Sequence, residues 1–324
     1  MRISITGSIA YDYIMSYPRD FKEMLLAESL DHISVSFLVD DMTRHRGGVA
    51  PNIAYTMALL GGHPVVVATA GQDFEEYRAR LESAGVDTGG TRTIPELFTA
   101  SFFVATDHNQ SQIAMFYAGA MTRARELSLA DAVPDGPDLV VISPNDPQAM
   151  LNYIRECKAR AIPYVYDPGQ QVARSEARDL AEGVDGAYIL ILNAYEFSAL
   201  GKKTGLSHDE IMEQANVVIV TRGENGADIY LDDQTFHIPV VPPARIADPT
   251  GVGDAFRGGL LRGVAAGWGW ELSGRMGALA ATYVLEQVGT QNHRFTPDEF
   301  VARFRQHFDD EGLLDSLSVP PPQD

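Results

Sequence analysis

The stretch AYILILNAYEF, residues 187–197, sets the pattern for the whole chain. Its run from Ile189 to Leu192 is unbroken and apolar, as expected of a strand covered on both faces in a parallel sheet. Asn193 ends the run, and Glu196 follows three residues later. That spacing puts both on one side of a short helix; it equally allows Asn193 to cap the helix and Glu196 to complete a capping box. A strand that runs straight into a helix is the repeating unit of an alternating α/β fold.

The same kind of run recurs as RISITGS (2–8), PVVVATAG (64–71), DLVVISP (138–144), IPYVYDP (162–168) and NVVIVTRG (216–223). Helical patterns lie between them, such as PNIAYTMALLGG (51–62), where Pro51 can start a helix and Gly61 can end it. Two regions break the rhythm: HISVSFLVDDMTRHR (32–46) and LFTASFFVATDHNQSQIAMFYA (97–118) alternate β-branched and aromatic residues with polar ones. Both are expected to form exposed hairpin strands that pair into one small sheet. The expected division is a main α/β domain over 1–10, 47–96 and 119–310, with a discontinuous β lid over 11–46 and 97–118. Residues 311–324 are acidic and proline-rich and are expected to form a flexible tail.

With 324 residues, 45% of them hydrophobic, the chain can bury a large core. Its formal charge of −19 argues against nucleic acid as a partner. Cys157 is the only cysteine, which excludes an intrachain disulfide; with Met150, Ile154 and Ala161 at helical spacing it is expected to be buried and inert. The eight histidines show no metal-ligand spacing. No apolar run approaches the ~20 residues of a membrane span. The N-terminus enters a strand pattern without an apolar signal core, so a cytoplasmic location is expected.

The chemistry concentrates in ADPTGVGDAFRGGLL, residues 247–261. Glycines ahead of an apolar helix let first-turn N–H groups face an anion. An acid there would repel a resting phosphate, but it can take the proton of a hydroxyl that attacks phosphorus. The plainer alternative is a Gly-rich turn with Asp254 at the helix start.

DPTGVGDAF together with GGVAPNIAYTMALLGG (47–62) resembles the two signatures of the ribokinase-like (PfkB) family of ATP-dependent carbohydrate and nucleoside kinases. The resemblance spans roughly residues 2–310. It implies a three-layer α/β/α sandwich with a mostly parallel central sheet and a small β-sheet lid. It also implies that Asp254 is the catalytic base and that Gly251, Val252 and Gly253 form the anion hole. Pro249 and Val252 depart from the usual Thr and Ala without touching the glycines or the base. Gly47 and Gly48 would form the lid hinge, and Asp12 and Asn52 would contact the acceptor's hydroxyls. Asn193 and Glu196 match an element that organises Mg2+, Glu196 acting mainly through water. Thr221, Gly223 and Gly226 match a loop beside the nucleotide, and Asn292 and His293 fall where relatives hold adenine. A monovalent cation such as K+ near the anion hole, and a homodimer through the lid, are further family features.

The acceptor is harder to read. Phe37, Leu38, Phe102, Met115, Phe116 and Tyr117 make the lid rich in apolar side chains, which favours a nucleoside's flat base, with Phe116 as a contact; the alternative is that they are only the lid's own core. The wording resembles the bacterial adenosine- or nucleoside-kinase-like branch most, with the 5′-hydroxyl of adenosine as the leading acceptor. A sugar kinase of the ribokinase or fructokinase type is the alternative, kept open by Arg44 and Arg46 as a cationic pocket for a phosphorylated sugar. A catalytically silent nucleotide or sugar sensor stands behind both.

Overall fold

The computed structural model describes residues 1–24 and 34–317. From the N-terminus come β1 (Ile3–Thr6), β2 (Ala10–Ser16), β3 (Asp41–Gly47), β4 (Val65–Gly71), β5 (Thr91–Ile94), β6 (Ala100–Thr106) and β7 (Gln112–Tyr117). There follow β8 (Leu139–Ile142), β9 (Tyr164–Tyr166), β10 (Ile189–Asn193), β11 (Val217–Thr221), β12 (Ala227–Leu231) and β13 (Gln234–Ile238). The main sheet has the order β13-β12-β11-β10-β9-β8-β1-β4-β5; only the β11–β12 and β12–β13 pairings are antiparallel.

Helices α1 (Val49–Leu59) and α2 (Glu75–Ser83) cover one face of this sheet. The other is covered by α3 (Leu129–Ala132), α4 (Pro147–Ala159), α5 (Ala177–Val184), α6 (Ala194–Thr204) and α7 (His208–Gln214). The chain then returns to the first face with α8 (Val252–Ala265) and α9 (Trp270–Leu285), backed by α10 (Pro297–Phe304). The unbroken apolar runs follow from this layering. Ile3, Ile5, Val141, Ile189, Ile191 and Ile219 point into one core, while Val140, Ile142, Leu190, Leu192, Val218 and Val220 point into the other. Successive strand residues alternate faces, so a strand with a core on each side must be apolar throughout.

The two irregular regions do pair, in a separate sheet of order β3-β2-β6-β7. Its first strand is shorter than the sequence pattern implied. β3 begins at Asp41, and residues 34–40 carry no ladder; His32 and Ile33 lie outside the described residues. Phe37 instead turns its ring edge-on to Tyr17 and Phe21, at 5.2 and 4.9 Å between centroids, as a plug at the end of the sheet. α1 also starts earlier than Pro51, at Val49. Cys157 is buried as expected, and burial pushes its thiol up to about 12. Ala161, however, lies beyond the end of its helix with φ +52°. The expected loose tail is corrected over 313–317: Leu314 and Leu317 are buried against the Phe300 and Phe304 cluster. Residues 318–324 lie outside the described residues. Among the described residues, no helix is long and apolar enough to cross a membrane.

Candidate active site

In open α/β sheets, ligands collect beyond the C-terminal ends of the parallel strands. Asp167, Asn193 and Thr221 follow or end β9, β10 and β11 at that edge, and Asn193 and Thr221 are register partners. The helix α8 starts against the same edge. Its N-cap, Gly251, has φ +80° and ψ 0°, and a Cβ there would meet Thr290 at 2.9 Å. Glycine is therefore required twice, by backbone conformation and by space. By position, the N–H groups of Val252, Gly253 and Asp254 have no i−4 acceptor within the helix; that of Val252 makes a long bond to Pro249 O at 3.4 Å, which leaves those of Gly253 and Asp254 for an anion.

The two acids of this stretch divide the work. Asp248 accepts hydrogen bonds from the N–H of Thr250 (2.9 Å) and of Gly289 (3.0 Å), tying the turn to the loop that follows α9. Burial works to raise its pKa, but those N–H donors and His45 hold it below the usual carboxylate range. Asp254 keeps an opening to the surface, yet its carboxyl sits among packed atoms. Burial pushes it up to about 7, against Arg257 and the hydrogen bond from Asn52, and with a further push from Asp167. A carboxyl poised near neutrality suits a general base.

Asn52 was expected at a sugar hydroxyl. Its amide is instead committed to the protein: Nδ2 donates to Asp254 at 2.9 Å, while Oδ1 accepts from Thr290 Oγ1 at 2.9 Å and from Gln291 Nε2 at 2.8 Å. Gln291 also donates to the Tyr77 hydroxyl, which in turn donates to the carbonyl of Gly47 at 2.9 Å. Tyr77 and Gln291 did not stand out in the sequence, because an isolated Tyr on an amphipathic helix and a Gln in a loop carry no local mark. The chain of bonds links the base to the junction of the two sheets.

That junction is Gly47-Gly48. Gly48 has φ +95°, and a Cβ on it would lie 2.7 Å from both Ala10 N and Ile9 Cα. Asp12 is the third residue of β2, in the small sheet rather than at the end of a main-sheet strand. Burial raises its pKa; His45 opposes the rise and Asp248 adds to it, and Oδ2 lies against Gly47, where a Cβ would meet it at 2.5 Å. Cross-strand register places His45, Asp12, Phe102 and Phe116 in one row on one face of this sheet. Phe116 is 48% exposed.

On the nucleotide side, Asn193 and Glu196 form a full capping box: Asn193 Oδ1 accepts from Glu196 N at 2.8 Å, and Glu196 Oε2 accepts from Asn193 N at 2.9 Å. One carboxylate oxygen remains for water, which fits a magnesium ion that keeps most of its own waters. Among the described residues, no group of three or more His, Cys, Asp or Glu could hold a metal directly. Beyond Thr221, Gly223 opens a short 3-10 turn that ends at Gly226. Arg222 donates to Asp228 and Tyr230 and so leans away along β12. Two expected adenine contacts lie elsewhere. His293 is fully buried, with Nε2 3.1 Å from Thr56 Oγ1 and its ring edge-on to Tyr55; burial depresses its pKa to about 4. Asn292 donates to Val288 O and lines a cavity with His45 and Thr43 beside β3. The loop turns back onto α1 here, so His293 packs inside the body and only Asn292 lies beside the small sheet.

A carboxyl raised toward neutrality in the first turn of a helix, at the C-terminal edge of a parallel sheet, is the arrangement that phosphoryl transfer to an alcohol calls for. The chain belongs to the family described as pfkB family carbohydrate kinase, whose pattern matches residues 8–297. The nucleoside kinase of Methanothermobacter thermautotrophicus is 30% identical over 302 residues, covering 92% of this chain and 94% of that one. The nucleoside kinase of Methanocaldococcus jannaschii is 27% identical over 308 residues, covering 94% and 97%. Among solved structures, Burkholderia thailandensis nucleoside kinase in complex with inosine is 36% identical with a TM-score of 0.83, covering 94% of this chain and 98% of that one. The same protein has been solved in complex with ADP-inosine, with a TM-score of 0.81.

Proposed function

We propose that this protein is an ATP-dependent nucleoside kinase that transfers the γ-phosphoryl group to the 5′-hydroxyl of adenosine or another nucleoside such as inosine. The observation that carries the choice of acceptor is the row His45–Asp12–Phe102–Phe116 on the small sheet. A sugar presents hydroxyls around its whole ring and calls for polar contacts on every side. A nucleoside pairs a ribose with a flat apolar base. Asp12 suits the ribose, and the two phenylalanines extend from it as a shelf for the base. The inosine and ADP-inosine complexes of the Burkholderia thailandensis relative support the same reading.

In this mechanism residues 11–46 and 97–118 form the lid over a body made of 1–10, 47–96 and 119–310. Asp12 orients the ribose, and closure excludes water around the reacting hydroxyl. Asn52 keeps the carboxylate of Asp254 aimed, and Asp254 takes the proton of the 5′-hydroxyl as its oxygen attacks phosphorus. The amides of the Gly251–Gly253 turn receive the charge that builds on the phosphoryl oxygens. Glu196 would hold magnesium through water, and the ion would supply positive charge to the nucleotide's phosphates. We also assign a second copy of the chain to the opposite face of the lid, where Met42 and Met115 are 58% and 64% exposed.

The test is release of ADP from ATP and magnesium with adenosine, inosine, cytidine, ribose and fructose in parallel. Turnover of a nucleoside with little of either sugar is the expected result. Turnover of ribose or fructose alone would replace the acceptor, and silence with all five would leave a sensor.

A further inference from the structure

The mechanism leaves one buried ion pair unused. Arg257 lies one helical turn after Asp254 on α8 and is 8% exposed; Asp167, just past the end of β9, is 1% exposed. The guanidinium meets this carboxylate through two nitrogens, Nη2 to Oδ1 at 2.7 Å and Nε to Oδ2 at 2.6 Å. Its remaining nitrogen, Nη1, donates to the carbonyl of Gly253 at 3.0 Å. A single side chain thus joins a strand-end loop to the peptide that precedes the base, across 90 residues of sequence.

Burying such a pair brings little net stability, because desolvating both charges offsets most of their attraction. Its placement is more informative. The peptide unit whose carbonyl it fixes carries, on its other side, the N–H of Asp254, one of the amides that face the phosphoryl group. The groups around the Asp254 carboxyl are Arg257 from its own helix, Asn52 from α1 and Asp167 from the β9 loop, with Glu196 of α6 acting on the pair. Of these, only Arg257 is a cation.

We propose that Arg257, fixed by Asp167, is a positioning residue for the transfer step: it holds the Gly253–Asp254 peptide in register with the anion hole and supplies the charge that lets Asp254 ionise inside a closed, dry site. The assignment rests on Asp254 being the base. With Arg257 neutralised, only the hydrogen bond from Asn52 is left to oppose burial, and the acid limb of the rate profile moves to higher pH.

The test is the pH profile of kcat/KM for the best acceptor, in four variants of the full-length protein. Arg257→Met combined with Asp167→Asn leaves no buried charge unpaired, which guards against simple misfolding. Its acid limb should still move up, because the loss of the Arg257 charge outweighs the loss of Asp167, with a fall in rate below the limb. Arg257→Lys should keep the limb in place while losing rate, because a lysine keeps the charge without the rigid fork to Gly253 O. Asp167→Asn alone should move the limb down or leave it, never up. Asp254→Asn is the control. If it stays active, the base reading fails and this proposal with it. If it is dead while the double variant is folded and its limb unmoved, the base reading stands and the role given to Arg257 is overturned.

Discussion

Asp254 is held between opposing influences, and its behaviour at neutral pH depends on their balance. Burial raises it to about 7, so the base is half-protonated there in the free protein. The kcat/KM profile should therefore fall away below about pH 7, with the acidic side inactive; a flat profile down to pH 5 would remove Asp254 from the proton transfer. Asp254→Asn should keep its circular dichroism spectrum and lower kcat by roughly 10²–10⁴, the range for a lost general base. His293 works in the other direction. Its folded pKa of about 4 lies below the ordinary 6.5, so between those values the unfolded chain takes up a proton that the folded chain refuses. Stability is lost as pH falls through that window, by at most a few kcal/mol. His293→Gln should flatten the acid side of a Tm-against-pH curve if it folds. The sequence made Asp254 and Gly251 legible because seven contiguous residues carry both the turn and the acid. It hid Arg257 and Asp167, 90 residues apart, and misplaced His293, because burial is decided by the packing of α1 against a distant loop.

At the level of strands and helices, the row on the small sheet is a matter of register. Side chains alternate faces, so a slip of one residue would send Asp12, Phe102 and Phe116 to the wrong side together. β2 and β6 are parallel neighbours, and no tight turn joins them. Their alignment is inherited from the body, since β2 is entered from β1 and β6 from β5, both strands of the main sheet. Gly48→Ala should therefore cost more than an ordinary loop substitution, because φ +95° and the 2.7 Å approach to Ala10 N both exclude a Cβ. Loss of a few kcal/mol in urea unfolding is expected. Phe116→Ala should raise the KM for a nucleoside roughly two- to tenfold, the worth of one aromatic contact, and leave the KM for ATP unchanged. Equal effects on both substrates would move the base shelf elsewhere. The main-sheet strands were readable because a strand packed on both sides leaves a continuous apolar trace. Residues 34–40 alternate just as convincingly, but Phe37 spends its ring on Tyr17 and Phe21 instead of on a ladder.

Across the whole molecule, the small sheet proposed as a lid is fastened lightly to the main one. Beyond the Gly47-Gly48 junction and the strand ends, its links to the body include Thr290 Oγ1, 2.9 Å from Arg46 O and sharing its one proton between that carbonyl and Asn52 Oδ1, and the pairs of Arg44 and Arg46 with Glu76. Exposed pairs of this kind contribute about 1 kcal/mol or less, so an acceptor bridging lid and body should add measurably to stability. At a hundredfold excess over its Kd, adenosine should stabilise the folded state by about 2.7 kcal/mol, visible as a higher Tm. Asp12→Ala should lose that shift and keep the one produced by ATP; loss of both would mean that Asp12 serves the fold rather than the acceptor. The contact between Asn52 and Asp254 spans 202 residues, and that separation has a bearing on synthesis. All four strands of the small sheet are synthesised by Tyr117, whereas Asp254 is added more than a hundred residues later. The acceptor side and the proposed base can therefore meet only when most of the polypeptide has been made.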